Sequence, residues 1–480
     1  MSHEIMTVDL HCHPNLKSFN SGHPDPKKDM WENIEHNIGS GFAKTISDAS
    51  AHVLKESQAN LHTQMAGNVR VFNISLYPIE RGFLVLRNVP QILIGKNRIN
   101  VMHEVITGFD ADRLKHLKKH KDYFQELQDE YRYVHQSQGK SPDGKLKFVL
   151  VNSYKELEEQ LEKDNTLIGI MSIEGGHVLG AADDKAEKMT ADELTALLTE
   201  NIQTIKNWEN PPFTINLGHH FWNGLCGHAS SFKPPINSAV NQNKGKDRGI
   251  TAHGWHVLRE LLGTHNGKRV IIDTKHMSIQ SRKEYYHFVE MHNYINPKDT
   301  IPIICSHGGA NGFATMDSSI KDNDIAAKAR PHRLYKWSIN LSNEEIQIIH
   351  KSKGLIGLMM DRGMLGGLDT IAKIVELTDE QKKRKEYCKI FLDNALQIVK
   401  AVGDKTGWDV PAMGSDFDGT ITHMEPYESS AKFPQFQQDL INFLEETEYN
   451  KELWHGYTPK QIIEKIFYKN AMAFYKKFFV

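Results

Sequence analysis

The run TVDLHCHPN near the start of the chain places two histidines, His11 and His13, one residue apart. On a β-strand, residues i and i+2 project from the same face, so the two imidazoles would stand side by side while Cys12 faces the other way. Two neighbouring imidazoles supply half of the ligands of a typical divalent metal site. A His-x-His pair also occurs by chance, so the missing ligands have to come from the rest of the chain.

Further ionisable residues stand at the ends of short apolar runs rich in Ile, Val and Leu, the pattern of buried parallel strands. Eight such runs begin near residues 5, 69, 166, 213, 269, 301, 354 and 410. The residues at their ends, besides the first pair, are Glu174, His219, His220, His276, His307 and Asp416. Each alone is more often a structural residue, but at the ends of at least five of eight strands they favour one shared site, because buried ionisable groups need partners or a metal.

The chemistry of this set is that of a binuclear metal centre. Neutral imidazoles, one carboxylate that can bridge and a further carboxylate suit two divalent ions, and zinc is the first expectation. Two ions that share a hydroxide lower its pKa toward about 7 and polarise a carbonyl or phosphoryl oxygen. The sequence therefore predicts a metal-dependent hydrolase with two divalent metal ions as cofactors.

The elements that must position these residues alternate between strand and helix. Helical periodicity with apolar residues at i, i+3 and i+4 marks TAHGWHVLRELLG, SNEEIQIIHKS and EYCKIFLDNALQIVKAVG. Eight strands alternating with helices predict an α/β fold of the (β/α)8 TIM-barrel type, with a doubly wound open sheet as the alternative. In a barrel, the residues at the C-terminal ends of the strands form the active site.

Three segments fall outside the regular alternation in what we expect to be a single barrel domain over residues 1–480. A helical insertion is predicted at about 85–160, and an irregular one, GLCGHASSFKPPINSAVNQNKGKDRG, follows the fourth strand. Both would decorate the mouth of the barrel. A closing helix is predicted at about 458–478, with Thr458 as N-cap and Pro459 at the first helical position.

The composition limits the classes of partner that the protein is expected to bind. The 480 residues carry 58 Lys and Arg against 60 Asp and Glu, a net charge of −2, which gives no reason to expect a nucleic acid partner. The four cysteines lack CxxC spacing, and no run approaches the roughly 18 apolar residues that span a bilayer. With no secretion signal at the start of the sequence either, we expect a cytoplasmic protein with a small-molecule substrate and no membrane partner, and leave a homo-oligomer open.

Several motifs in order resemble the membrane (renal) dipeptidase family of the amidohydrolase superfamily. They are SIEGGH, GITAHGWHVLRELLG running into VIIDTKHMS, PIICSHGGA, and LDNALQIVKAVG running into AMGSDFDG. The resemblance implies that His11 and His13 bind one zinc ion, that Glu174 bridges, and that His276 and His307 bind the second ion. It also implies that Asp416 takes the proton of the bridging water, and that His220, or its neighbour His219, holds the substrate carbonyl or its oxyanion.

The sequence departs from the family at three places. The family has His-x-Asp where this chain has His-Cys-His, so the first metal would lose one negative ligand. The arginine that binds a substrate carboxylate does not align cleanly, which leaves Arg330, Arg333 or neither of them in this role. The two insertions would reshape the mouth.

The leading interpretation is a dipeptidase that cleaves dipeptides or related small amides through a metal-bridging hydroxide. The alternatives are a metal-dependent phosphoesterase or TatD-like nuclease, another amidohydrolase acting on a lactone or an acyl amino acid, and a barrel without catalytic activity. The presence of Asp416 argues against the last, because a scaffold does not need a carboxylate that handles protons.

Overall fold

Eight parallel strands close into a barrel. The computed structural model describes residues 5–19, 29–34, 57–85, 109, 111–232, 240–321 and 333–480. The strands are β1 (Thr7–Cys12), β2 (Val69–Leu76), β3 (Thr166–Ile173), β4 (Thr214–Asn216), β5 (Ile271–Asp273), β6 (Ile304–Gly308), β7 (Leu355–Leu358) and β8 (Pro411–Met413). Each strand pairs with the next in the chain, and β1 also pairs with β8. The predicted (β/α)8 barrel is confirmed, and closure excludes the open sheet.

Helices fill the connections between the strands and follow the last one. They are α1 (Leu61–Ala66), α2 (Ala111–Lys119), α3 (Tyr123–Gln136), α4 (Tyr154–Leu161), α5 (Ala191–Lys206), α6 (Ala252–Leu262), α7 (Ile279–Ile295), α8 (Met316–Lys321), α9 (Asn343–Lys351), α10 (Arg362–Leu365), α11 (Leu368–Val375), α12 (Glu380–Val402), α13 (Phe433–Thr447), α14 (Pro459–Glu464) and α15 (Asn470–Phe478). Short 3₁₀ turns lie at Arg81–Leu84, Gly176–Leu179, Ala186–Lys188, Lys405–Asp409, Glu425–Tyr427, Ser430–Lys432 and Lys451–Trp454, and a π turn at Lys465–Lys469 joins α14 to α15. In the described part of the chain, no helix is both long enough and apolar enough to cross a bilayer.

The helix boundaries follow local capping chemistry. Ser342 begins α9 with a capping box, in which its hydroxyl accepts from the Glu345 N–H while the Glu345 carboxylate accepts from the Ser342 N–H. Thr458 caps α14 in the same way, with Pro459 at the first helical position. Gly403 ends α12 with a φ of 91°, a left-handed conformation that glycine adopts without a steric penalty.

The segment between β2 and β3 contains two short strands as well as helices. Besides α2, α3 and α4 it contains an antiparallel hairpin formed by strands Gly139–Lys140 and Lys147–Leu150. The second hairpin strand then pairs in parallel with the first half of β3, from Lys147 opposite Thr166 to Leu150 opposite Gly169. Residues 86–108 and 110 of the predicted insertion, and residues 233–239 of the second one, lie outside the described residues.

The barrel interior is apolar at one end and polar at the other. Ile170 and Ile304 belong to a buried cluster that also contains Tyr475 of the C-terminal helix α15. Because side chains alternate along a strand, residues two or four positions further on face the same interior. Those residues are Ser306 after Ile304, and Glu174 after Ile170. The polar end is therefore the end at which the strands terminate.

Candidate metal centre

The closed barrel gathers the predicted site residues at the C-terminal ends of its strands, where barrel enzymes hold their active sites. His11 and His307 lie within β1 and β6, whereas Glu174 directly follows β3. His276 and Asp416 follow β5 and β8 by three residues, and both have left-handed backbone conformations with φ of 67° and 60°. Such conformations are uncommon outside glycine and cluster at functional sites.

Glu174 is the centre of the arrangement. Its Oε2 lies 3.0 Å from His13 Nε2, and its Oε1 lies 3.3 Å from His11 Nε2. The same Oε1 lies 3.4 Å from His307 Nε2 and 3.6 Å from His276 Nε2. One carboxylate thus faces the four predicted metal-binding imidazoles, as a group shared by two ions would.

The four imidazoles form two converging pairs. The Nε2 atoms of His11 and His13 are 3.2 Å apart, and those of His276 and His307 are 3.1 Å apart. Two nitrogens bound at ordinary Zn–N distances to one tetrahedral ion lie about 3.3 Å apart, so each pair has the spacing of two ligands on one ion. Glu174 with His276 and His307, and Asp416 with His11 and His13, are groups that could each hold an ion.

The electrostatics of the buried groups also fit a site for divalent cations. Burial lowers the pKa of His276 to about 3 and that of His307 well below its usual range, which leaves neutral imidazoles, the form that binds a metal ion. Burial lowers the pKa of His13 as well, but Asp416 and Glu174 raise it to about 10. Two buried carboxylates thus demand positive charge at this point, which divalent ions would supply.

Asp416 stands slightly further from the imidazoles than Glu174 does. Its Oδ1 is 3.6 Å from His13 Nε2 and 3.9 Å from His11 Nε2, and its Oδ2 is 4.0 Å from His307 Nε2. Burial raises the pKa of Asp416, the hydrogen bond with His13 lowers it, and the charge of Glu174 raises it, with a net upward shift. A carboxylate whose pKa is moved toward neutrality is suited to accept and return a proton.

His219 reaches the central carboxylate and His220 lies beside it. His219 Nε2 is 3.4 Å from Glu174 Oε1, while its Nδ1 donates to Glu80 Oε2 at 2.6 Å. His220 Nδ1 instead contacts Ser231 Oγ at 2.7 Å, and its ring centroid is 5.0 Å from that of His276. Both histidines border the site, and only His219 has a hydrogen-bonded carboxylate behind it.

Glu80 was not among the residues predicted from the sequence. It is 2% exposed and accepts hydrogen bonds from the backbone N–H groups of His220 and Phe221 at 3.2 and 2.9 Å. Burial raises its pKa, but the charge and hydrogen bond of His219 outweigh burial and hold the pKa at about 2. The sequence offered only a weak signal, a carboxylate four residues after the end of β2.

Arg333, one of the two arginines predicted for a substrate carboxylate, does not join this cluster. Arg333 is bound on the outside by α12, where its Nε donates to Asp393 Oδ2 at 2.5 Å and its Nη1 lies 3.3 Å from Glu386 Oε2. Arg330 lies outside the described residues. Cys12 is buried behind β1, where its Sγ lies 3.5 Å from the carbonyl oxygen of Asn73.

Fold and site together define a barrel enzyme of the metal-dependent hydrolase class. Within this class, residues 324–458 match the family model described as membrane dipeptidase, peptidase family M19. The match confirms the resemblance seen in the sequence. None of the curated proteins matches the chain.

The chain is also similar to solved structures. The probable dipeptidase PvdM from Pseudomonas aeruginosa shares 14% identity over 98% of this chain and 95% of its own, with a TM-score of 0.51. A metallo peptidase from Rhodobacter sphaeroides, liganded with a phosphinate mimic of the dipeptide L-Ala-D-Ala, shares 13% identity over 99% of both chains, with a TM-score of 0.49. At these identities the likeness to PvdM concerns the fold alone.

Proposed function

We propose that this protein is a metal-dependent dipeptidase that cleaves the amide bond of dipeptides or related small amides with two divalent ions, zinc being the expected metal. The observation that carries the proposal is the presence of two converging imidazole pairs, each in contact with the Glu174 carboxylate. The match to the membrane dipeptidase family supports the same reaction.

The ligands divide between the two ions. His11 and His13 would hold the first ion, His276 and His307 the second, and Glu174 would bridge them. Bound ions would lower the pKa of a water molecule between them and polarise the amide carbonyl. With His-x-His instead of His-x-Asp, the first ion would be held by neutral ligands apart from the shared carboxylate.

The remaining polar groups move protons and stabilise charge. Asp416 accepts the proton of the attacking water and returns it to the leaving amine. An imidazole N–H donates to the oxygen of the amide carbonyl as negative charge develops on it. We propose His219 for this donor, because Glu80 holds its Nδ1 hydrogen and directs Nε2 toward Glu174. Burial lowers the pKa of His219, but the charges of Glu174 and Glu80 raise it to about 9, so Nε2 carries a hydrogen too. We keep the predicted His220 as its neighbour.

The cellular location and the substrate class remain proposals. All four cysteines are unpaired and buried, as in proteins of a reducing compartment, which supports the expected cytoplasmic location. A small-molecule substrate follows from the dipeptidase reaction.

The test combines metal analysis with a substrate panel. Protein purified without chelator should contain close to two divalent ions per chain and should hydrolyse at least one dipeptide among L-L and L-D pairs, with activity lost on chelation and restored by zinc. The panel also contains an acyl amino acid, a lactone and a phosphodiester, so that each alternative has its own substrate. Absence of bound metal after growth with added zinc, or hydrolysis of the phosphodiester alone, would refute the proposal.

A further inference from the structure

A layer of polar side chains lies directly beneath the imidazoles inside the barrel. Its central member, Ser306, is 1% exposed and precedes His307 on β6. Ser306 Oγ lies 2.9 Å from His307 Nδ1 and 3.0 Å from His11 Nδ1. One hydroxyl thus contacts an imidazole of each converging pair.

The hydrogen-bonding capacity of a hydroxyl matches this position. An imidazole that binds a metal ion through Nε2 carries its hydrogen on Nδ1, and a serine oxygen can accept two such hydrogens with its two lone pairs. The serine hydrogen is then not needed by either imidazole. The backbone N–H of Ser306 donates to Asp273 Oδ1 at 3.0 Å, which helps to fix the position of the residue.

The two imidazole pairs differ in their other support. In the first pair, His11 Nδ1 has a second hydroxyl, Ser75 Oγ at 3.0 Å, and His13 Nδ1 donates to the carbonyl oxygen of Ser75 at 2.8 Å. In the second pair, His276 Nδ1 is buried without a hydrogen-bond partner among the described residues. Among the residues that the structure describes, Ser306 is therefore the one hydrogen-bond partner of the Nδ1 atoms of the second pair, whereas the first pair has further contacts.

We propose that Ser306 is a positioning residue shared by both metal positions, orienting His11 of the first and His307 of the second through one hydroxyl. The inference rests on the proposed two-metal function and deepens it. It predicts that a single substitution weakens both metal positions, although Ser306 binds neither ion.

The experiment is a zinc titration of the metal-free full chain against a competing chromogenic chelator, which yields two dissociation constants. Ser306→Ala should raise both constants, each by about tenfold, the usual effect of losing a hydrogen bond to a metal ligand. The matched control is Ser75→Ala, which removes the other hydroxyl on His11 and leaves the carbonyl on His13 in place. It should raise only one constant and leave the other at the parent value.

The melting temperature of each metal-free variant shows whether the substitution has affected folding. If Ser306→Ala melts below the parent, Ser306→Thr provides the comparison, because it keeps the hydroxyl and should therefore hold both constants near the parent values. The proposal is overturned if Ser306→Ala changes one constant or none, or if Ser75→Ala raises both to the same extent. A parent protein that binds fewer than two ions refutes the two-metal site itself, and the shared role with it, before any variant is compared.

Discussion

Replacement of Asp416 by Asn tests the reaction most directly, because it separates a proton carrier from a metal ligand. Asn has nearly the same volume and hydrogen-bonding oxygen, and it tolerates the left-handed φ of 60° at this position. The substitution therefore leaves the backbone in place. It removes the ability to accept a proton.

The distances indicate that the substitution should affect kcat and leave the metal ions bound. Asp416 oxygens lie 3.6 to 4.0 Å from the nearest imidazole nitrogens, against 3.0 to 3.4 Å for the closest contacts of Glu174, so both ions should remain bound. Loss of a positioned acid–base group lowers kcat by about 10² to 10⁴. This corresponds to a barrier higher by about 3 to 5 kcal/mol.

The assay measures kcat on one hydrolysed dipeptide and metal content by elemental analysis on the same samples. Asp418→Asn is the matched control, since Asp418 is also buried with a left-handed φ of 66° but accepts from the backbone N–H groups of Gln58 and Ala59. It should lower the melting temperature rather than kcat. Hydrolysis by Asp416→Asn at the parent rate with both ions bound would show that another group is the base.

Three further variants test the surroundings of the site. Glu174→Gln should lose more metal, by elemental analysis, than replacement of either His11 or His13 by Ala, because both imidazole pairs face this carboxylate; equal retention of both ions would contradict the bridge. Glu80→Gln should lower the unfolding free energy at pH 7 by about 3 kcal/mol, since the native pKa of about 2 lies below the ordinary 4.5. The Glu80 contribution is fully present above pH 4.5 and is lost as the pH falls toward 2, so urea curves of parent and variant should converge there, and a pH-independent difference would count against it. Arg282→Met breaks a buried ion pair with Glu345, 2.6 Å long, and should cost about 3 to 5 kcal/mol in urea unfolding, whereas an unchanged midpoint would mean that the pair adds nothing.

Local patterns in the sequence determined the fold and most of the candidate site. The runs rich in Ile, Val and Leu marked all eight barrel strands, because a strand buried on both faces needs apolar side chains along its whole length. The period of two placed His11 and His13 on one face with Cys12 behind. Parallel barrel strands end at one rim, and this rule predicts from the sequence that Glu174 and Asp416 lie near these histidines.

Tertiary structure alone decided the contacts made beyond the regular strands. β4 ends at Asn216, so its period could not say which of His219 and His220 faces Glu174, and the path of the following loop settles it. The sequence could not show whether Arg333 faces the site. Its ion pair with Asp393 of α12 holds it away from the metal centre.

The hydrogen bonds between serine hydroxyls and the imidazoles are also decided by the tertiary structure. Ser75 and Ser306 are 231 residues apart and are ordinary serines in the sequence, yet both contact His11 Nδ1 at 3.0 Å. Spacing along one strand is fixed by backbone geometry and can be read from the sequence. A contact between distant strands depends on how the barrel closes, because closure sets which interior side chains meet across it.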